Sequence, residues 1–329
     1  MNQPAPSVRY WTVEADCAGQ RLDNYLLRRL KGAPKSLIYR VIRSGEVRLN
    51  QARARADARL HEGDRIRVPP LRLPETEQAP GAVHVPAREF EVLHEDEWLL
   101  ALNKPAGVAV HGGSGVAYGV IEQLRQARPD LPMLELVHRL DRETSGVLLV
   151  AKKRSALRAL QEQFRQRRIG KTYLALVQGA WPASRRLIDA PLQRYLRPDG
   201  ERRVRVVAAD DPQGLSAISL VRPLGSVQPP GSCGEAAALG STLLAVTIKT
   251  GRTHQIRVHL AHAGHPIAGD DKYGDFAWNR ALARCGLSRM FLHAWRLALQ
   301  HPVDARRLTL QAPLPAELQQ WGDVARFLD

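Results

Sequence analysis

The sequence predicts an α+β protein in two parts, a small basic module followed by a larger domain. Three observations predict it. Strand and helix patterns mix along the chain without a regular strand–helix–strand alternation, which argues against a doubly wound sheet. At 329 residues the chain exceeds one typical domain. Pro69, Pro70, Pro74, Pro80 and Pro86, with acidic and small residues between them, read as a stiff linker. The expected boundaries are therefore an N-terminal extension over 1–18, a module over 19–73, the linker over 74–88, and the large domain over 89–329.

The module reads helix, helix, strand, strand. Leu22, Leu26 and Leu30 recur at helical spacing behind Asp23. Ser36 reads as the N-cap of a second helix with Leu37, Val41 and Ile42 on one face, stopped by Gly45. Val47 and Leu49, then Ile66 and Val68, alternate with charged or polar neighbours and predict two short strands. Residues 1–73 hold fifteen Lys/Arg against seven Asp/Glu, so about half of the net charge of +15 sits in under a quarter of the chain. The second helix leaves Lys35, Arg40 and Arg43 outward, near Arg48, Arg53, Arg55 and Arg59. A basic face of this kind suits phosphate contacts on folded RNA, which is recognised largely by shape. A solvated basic face with no partner has the same composition.

The large domain opens near Glu89. Trp98–Asn103 reads as an apolar strand ended by Lys104-Pro105, and Val147–Ala151 as another. A helix opening at Ser155 turns Leu157, Leu160 and Phe164 inward. Tyr173–Val177 is a third strand, and Leu244, Val246 and Ile248 mark a fourth. Gly225–Gly240, rich in Gly, Pro, Ser and Ala, reads as a flexible insertion.

Composition bounds the partners. The pI near 10.3 points to a polyanion, nucleic acid by default. An anionic membrane surface competes, but no basic amphipathic helix with bulky aromatic anchors is visible. No run of about eighteen apolar residues occurs, so no membrane span is expected. Met1–Pro6 lacks a charged head followed by an apolar stretch, so no secretory signal is expected. Cys17, Cys233 and Cys285 are scattered outside any CxxC or Cys/His pattern, which predicts reduced thiols and a cytoplasmic location. Nothing calls for an obligate dimer, so a monomer is expected.

Four motifs carry chemistry. In Val137-His138-Arg139-Leu140-Asp141-Arg142-Glu143-Thr144-Ser145-Gly146, a carboxylate stands between two arginines on a polar turn, immediately before an apolar strand. Asp141 is thus displayed on a rigid mount as a nucleophile or base; a surface salt-bridge turn is the alternative. In Thr250-Gly251-Arg252-Thr253-His254-Gln255-Ile256-Arg257-Val258-His259, Thr253 can cap a helix that stops at Gly264, with Ile256, Leu260 and Ala263 on one face. Arg257 lies at the boundary of that face, and if buried it requires a carboxylate or phosphate partner. In Lys171-Thr172-Tyr173-Leu174-Ala175-Leu176-Val177, Tyr173 begins a strand whose other residues look buried. The fourth motif, Asn103-Lys104-Pro105 through His111-Gly112-Gly113-Ser114-Gly115, holds glycines able to cradle phosphate but lacks the Gly-Lys-Ser/Thr ending of a nucleotide-hydrolysing loop. His254, His259, His262 and His265 lack a carboxylate or cysteine at a ligand offset, so no metal site is expected.

These motifs, in this order, resemble the family of pseudouridine synthases that act on large-subunit ribosomal RNA, and Gly19–Pro69 resembles an S4-type RNA-binding domain. Similarity extends from about Gly19 to Pro313. Gly32–Arg40, His111–Gly115 and Ala268-Gly269-Asp270-Asp271-Lys272-Tyr273-Gly274 resemble the type C branch, whereas Gly225–Gly240 and the strand around Ala217-Ile218-Ser219-Leu220 depart from the pattern. The resemblance implies a mixed, mainly antiparallel sheet flanked by helices. It implies Asp141 as nucleophile, Arg257 as its partner, and Tyr173 as the residue that stacks on the target base within reach of its proton. It also implies that Arg139 fills the space left by an extruded base, while Arg142 and the basic module hold flanking phosphates. Isomerising uridine removes no electron or group, so no cofactor is expected; the expected partner is large-subunit ribosomal RNA or a pre-ribosomal particle. Two other classes compete: a glycoside hydrolase pairing Asp141 with Glu143 or Asp270, disfavoured by an aromatic content of only 5%, and a non-catalytic RNA-binding or ribosome-assembly factor.

Overall fold

Helical spacing of apolar residues dictates the start of the small unit. Leu22 and Leu26 are buried on α1 (Leu22–Arg29), and Leu30 caps it. On α2 (Lys35–Arg43), Ile38, Val41 and Ile42 are buried while Lys35, Arg40 and Arg43 face outward. The cap of α2 differs from expectation: it is Pro34, not Ser36, and no side chain bonds to the first turn. The pyrrolidine ring already fixes φ near the observed −59°, so the helix begins directly after it. Gly45 ends the helix at φ +78°, a left-handed turn that a side chain would resist.

The computed structural model describes residues 7–14, 17–30, 33–71, 85–113, 116–229, 240–319 and 321. Most of the expected linker, residues 230–239 of the Gly/Pro-rich segment, and Gly32, Ser114 and Gly115 of two motifs lie outside the described residues, as does Cys233. Cys17 is a free thiol. Cys285 is disulfide-bonded, which corrects the expectation of reduced thiols at that position.

The chain divides into two units, Met1–His84 and Val85–Asp329. In the first, β1 (Arg9–Thr12), β2 (Arg48–Leu49), β3 (Ala52–Arg53) and β4 (Arg65–Val68) form an antiparallel sheet in the order β1-β4-β2-β3. Strand β1 comes from the stretch read as an extension. Its residues are largely exposed, so no apolar alternation marks it, and main-chain pairing with β4 holds it. Twelve buried side chains from Val13 to Val68 form this unit's core, each stabilising it by roughly 1.5–3 kcal/mol.

The second unit is built on a ten-stranded sheet. Its strands are β5 (Val92–Glu95), β6 (Leu99–Lys104), β7 (Glu135–Leu136), β8 (Ser145–Ala151), β9 (Gly170–Gln178), β10 (Leu187–Asp189), β13 (Ile218–Ser226), β14 (Ser241–Ile248), β15 (Leu292–Gln300) and β16 (Arg307–Gln311). The order is β10-β13-β14-β9-β15-β8-β6-β5, with β16 on β15 and β7 on β8. Every pairing is antiparallel except β15 with β8, so the sheet is mixed and mainly antiparallel as expected. A separate hairpin joins β11 (Leu192–Leu196) to β12 (Arg202–Val206).

Helices cover both faces, which explains the unbroken apolar run of β8. Val147, Leu149 and Ala151 meet Leu157 and Leu160 of α4 (Arg154–Arg165). Leu148 and Val150 meet Val120, Ile121 and Leu124 of α3 (Val120–Ala127) on the opposite face. α4 starts at Arg154 behind Lys153 and has no side-chain cap, so Ser155 lies inside it. The remaining helices are α5 (Gln255–His262), α6 (Phe276–Arg284) and α7 (Ala316–Gln319). The poorly matching stretch near Ile218 belongs to β13, one strand from the sheet edge, where Leu220 is exposed and the register shifts between Pro223 and Gly225. Among the described residues, no helix is long and apolar enough to cross a membrane.

Candidate active site

The turn carrying Asp141 is held from three sides. Leu140 is buried before it, and the Thr144 N–H donates to the Asp141 carbonyl at 3.2 Å. Behind it, Ser145 is fully buried and its Oγ contacts Arg289 at 2.7 Å and His293 at 2.9 Å. From the side, Lys104 at the end of β6 donates from Nζ to the carbonyls of Pro105 (2.8 Å), Val108 (2.7 Å) and Arg142 (3.0 Å). Burial pulls the pKa of this lysine down to about 7. Three carbonyl acceptors are what an ammonium with three donors needs when water is excluded. The lysine of the fourth motif is thereby a brace for the Asp141 turn.

Gly146 supplies the close approach behind it. Residues Ser145 and Gly146 pair in parallel with His293 and Ala294 of β15. A Cβ at position 146 would collide with the Ala294 carbonyl, and φ there is +110°. A glycine is required.

Asp141, Tyr173 and Arg257 converge. They line one recess of about 90 Å³ together with Arg139, Thr144 and His254. A neighbouring groove of about 450 Å³ shares Arg139, Asp141, His254 and Arg257 and runs past Arg142, His111 and Gly113. Tyr173 is the fourth residue of β9, not its first, because β9 begins at Gly170. Its phenol pKa is pushed up by burial and by the nearby Asp141 charge, so it is a neutral aromatic face.

Arg257 differs from expectation in its partners. Its guanidinium is buried and donates to Asp270 Oδ2 at 2.7 Å and Oδ1 at 2.6 Å, with Asp271 at 3.1 Å. Asp141 is farther, 3.9 Å from Nη1. Burial disfavours the charge, but the bidentate Asp270, with Asp141 and Asp271, more than offsets it and raises the pKa. Asp270 is buried and its pKa is lowered against its burial by the same pair, so it cannot serve as the protonated acid of a paired-carboxylate hydrolase.

Around the site, Arg139 is exposed and lines both cavities. Arg142 is exposed and bonds Glu143 at 2.7 Å, a surface pair of small energetic consequence. In the small unit, Arg40 and Arg43 line a separate groove of about 490 Å³ with Ser36 and Tyr39. Arg48 donates to the Gln51 carbonyl at 3.4 Å.

Hydrogen bonds occupy His259 and His265. His259 is fully buried between Ser219 Oγ (2.9 Å) and the Ala190 carbonyl (3.0 Å), and His265 bonds the Gln178 carbonyl at 2.8 Å. Among the described residues, no three His, Cys, Asp or Glu side chains gather to hold a metal ion. Thr253 does not cap α5; its Oγ1 accepts from Arg194 at 2.7 Å. The N-cap is His254, in the left-handed region at φ 54°. Nothing in the sequence marks His254 as a site residue, because one histidine among four carries no spacing signal.

A braced carboxylate, a buried arginine and an aromatic ring on one recess make up the kind of site an enzyme builds. The chain belongs to the RNA pseudouridylate synthase family. The family model described as RNA pseudouridylate synthase matches residues 98–262, and the S4 domain model matches residues 20–66. A relative from Pasteurella multocida, ribosomal large subunit pseudouridine synthase C, is 49% identical over 95% of this chain and 93% of its own length. The Escherichia coli protein of the same name is 47% identical over 97% of both chains. Among solved structures, human RNA pseudouridylate synthase domain containing 1 aligns with a TM-score of 0.57 at 25% identity, covering 71% of this chain and 88% of its own. Human RNA pseudouridylate synthase domain containing 4 aligns at 0.55 and 27%, covering 72% and 92%.

Proposed function

We propose that this protein isomerises specific uridines of large-subunit ribosomal RNA to pseudouridine, with Asp141 as nucleophile, Tyr173 stacking on the base, and Arg257 as the charge partner. The observation that carries this reading is the convergence of these three side chains on one recess, in a chain nearly half identical to enzymes named for that reaction.

The target uridine leaves its stack, at a cost of a few kcal/mol, and Arg139 takes the vacated space. Asp141 supports or attacks C1′ as the N1–C1′ bond breaks. The detached base turns against Tyr173, C5 bonds to C1′, the C5 proton departs, and N1 gains a proton. Atoms and charge balance with no redox partner. The geometry serves a covalent ester and a glycal route equally. The buried Arg257–Asp270 pair supplies a fixed field, which needs no reorganisation as charge develops.

On this reading, residues 19–73 with β1 are the RNA-binding module, 74–88 the linker, and 89–329 the catalytic domain. Arg142, Lys35, Arg40, Arg43 and Arg48 hold phosphates, and the protein acts as a cytoplasmic monomer on ribosomal RNA or its assembly intermediate, away from membranes. The test is pseudouridine mapping on unmodified large-subunit RNA with wild type and Asp141→Asn, in EDTA. New pseudouridines with wild type alone are expected. RNA binding without product from either protein, on naked RNA and on a pre-ribosomal particle, overturns the reading.

A further inference from the structure

Beside Asp141 stands a histidine whose tautomer is set by its neighbours. His254 Nδ1 lies 2.8 Å from Tyr273 Oη, and the two rings meet edge to face at 5.5 Å. Tyr273 Oη also accepts the backbone N–H of Val204 at 3.0 Å. The guanidinium groups of Arg257 and Arg203 flank the Tyr273 ring at 5.3 and 5.8 Å, and neither can accept a proton. With one lone pair of Tyr273 Oη taken by Val204, we assign its proton to His254 Nδ1, an assignment that puts the proton of the neutral imidazole on Nε2. Nε2 points at Asp141, 4.0 Å from Oδ2. Arg257 Nη1 approaches the same oxygen, at 3.9 Å. Both groups face Oδ2, from beyond hydrogen-bond distance.

We propose that His254 is a positioning residue that orients the Asp141 carboxylate through a donor at Nε2, with Tyr273 fixing the tautomer. The inference rests on Asp141 being the nucleophile. The present separations exceed a hydrogen bond, and contacts of this kind shorten when substrate closes the site. His254 is held in the left-handed region at φ 54°, a strained backbone for a residue other than glycine. The charged and titratable groups facing the ring are Asp141, Arg257, Lys272, Asp270 and Tyr273. Burial pulls the imidazole pKa below its ordinary value, with Asp141 acting against this and Arg257 with it. The neutral tautomer is thus the resting form.

The experiment compares turnover of large-subunit RNA by wild type, His254→Asn, His254→Gln, Tyr273→Phe and Asp141→Asn, with thermal melts on each. Asn keeps an acceptor near Nδ1 but has no donor near Asp141; the Gln amide reaches the Nε2 position. His254→Asn is expected to lower kcat on the order of 10²-fold with KM unchanged, and His254→Gln to recover most of it. Asn tolerates a left-handed backbone better than Gln, so a purely structural role predicts the reverse ranking. Tyr273→Phe frees the tautomer. Its rate relative to wild type should rise as pH falls and the doubly protonated ring regains an Nε2 proton. Wild-type kcat in His254→Asn, or the reverse ranking, overturns the proposal while Asp141→Asn stays inactive. Turnover by Asp141→Asn overturns instead the reading on which it rests.

Discussion

Arg257 spends its short contacts on Asp270, at 2.6 and 2.7 Å, and meets Asp141 at 3.9 Å. The buried arginine is thus neutralised and aimed by one carboxylate while the other stays uncommitted. Asp270 is anchored in turn by the backbone N–H groups of Lys272 and Tyr273 at 2.9 and 3.0 Å. Removing its charge should cost more than a bond. Asp270→Asn leaves a buried guanidinium short of its partner, and a loss of about 3–5 kcal/mol in stability is expected from denaturant unfolding. A loss below about 1 kcal/mol would show that Asp271 and Asp141 suffice.

Lys104 ties stability to alkaline pH. Its pKa is about 7 in the fold and 10.5 in the unfolded chain, so between those values the unfolded state binds the extra proton. Stability contributed at this site therefore rises with pH across that window, by at most about 1.4 kcal/mol per unit. Lys104→Met should abolish this rise, seen as a wild-type-minus-variant difference in unfolding free energy between pH 7.5 and 9.5. The same variant frees the Arg142 carbonyl, so turnover should fall with it.

Two histidines set the acid limit. Burial holds both His138 and His293 at about 4. His138 Nε2 accepts the Leu149 N–H at 3.1 Å, and His293 bridges Ser145 to the Ala312 carbonyl. The unfolded chain takes up these protons near 6.5, so stability is lost as pH falls from about 6.5 to 4. Replacing His293 by Gln should flatten the melting-temperature profile over that interval; an unchanged slope would assign the acid limit elsewhere.

Gly146→Ala should be among the most damaging single methyl additions. The Cβ strikes the Ala294 carbonyl at the one parallel pairing of the sheet. A destabilisation on the order of 3 kcal/mol is expected, with misplacement of Asp141 five residues away. Melting and turnover together measure it.

The basic face of α2 should reveal itself through salt. Neutralising Lys35, Arg40 and Arg43, all exposed, should reduce the slope of log affinity for RNA against log salt by about two to three. No change in slope would leave these residues as a solvated face.

Much was legible locally. Period-3.6 apolar spacing located α1 and α2, and continuous apolar runs located β6 and β8, because burial must follow the geometry of each element. The family resemblance groups Asp141, Tyr173 and Arg257, and the three line one recess. Caps were misread at α2, α4 and α5, where Pro34, Lys153 and His254 start helices without a side-chain bond. Strand β1 was missed because its partner β4 lies more than fifty residues away and its side chains stay in water.

The fold class and the basic module follow from the sequence alone, since these rest on periodicity and charge, and the resemblance to a known family singles out Asp141 among the carboxylates. Tertiary packing alone reveals which carboxylate holds Arg257, that Lys104 braces the Asp141 turn, and that Tyr273 meets His254. Each of these joins side chains from separate elements. Their pairing is dictated by the need to satisfy every buried charge and polar group at once, and that condition exists only after the sheet has closed around them.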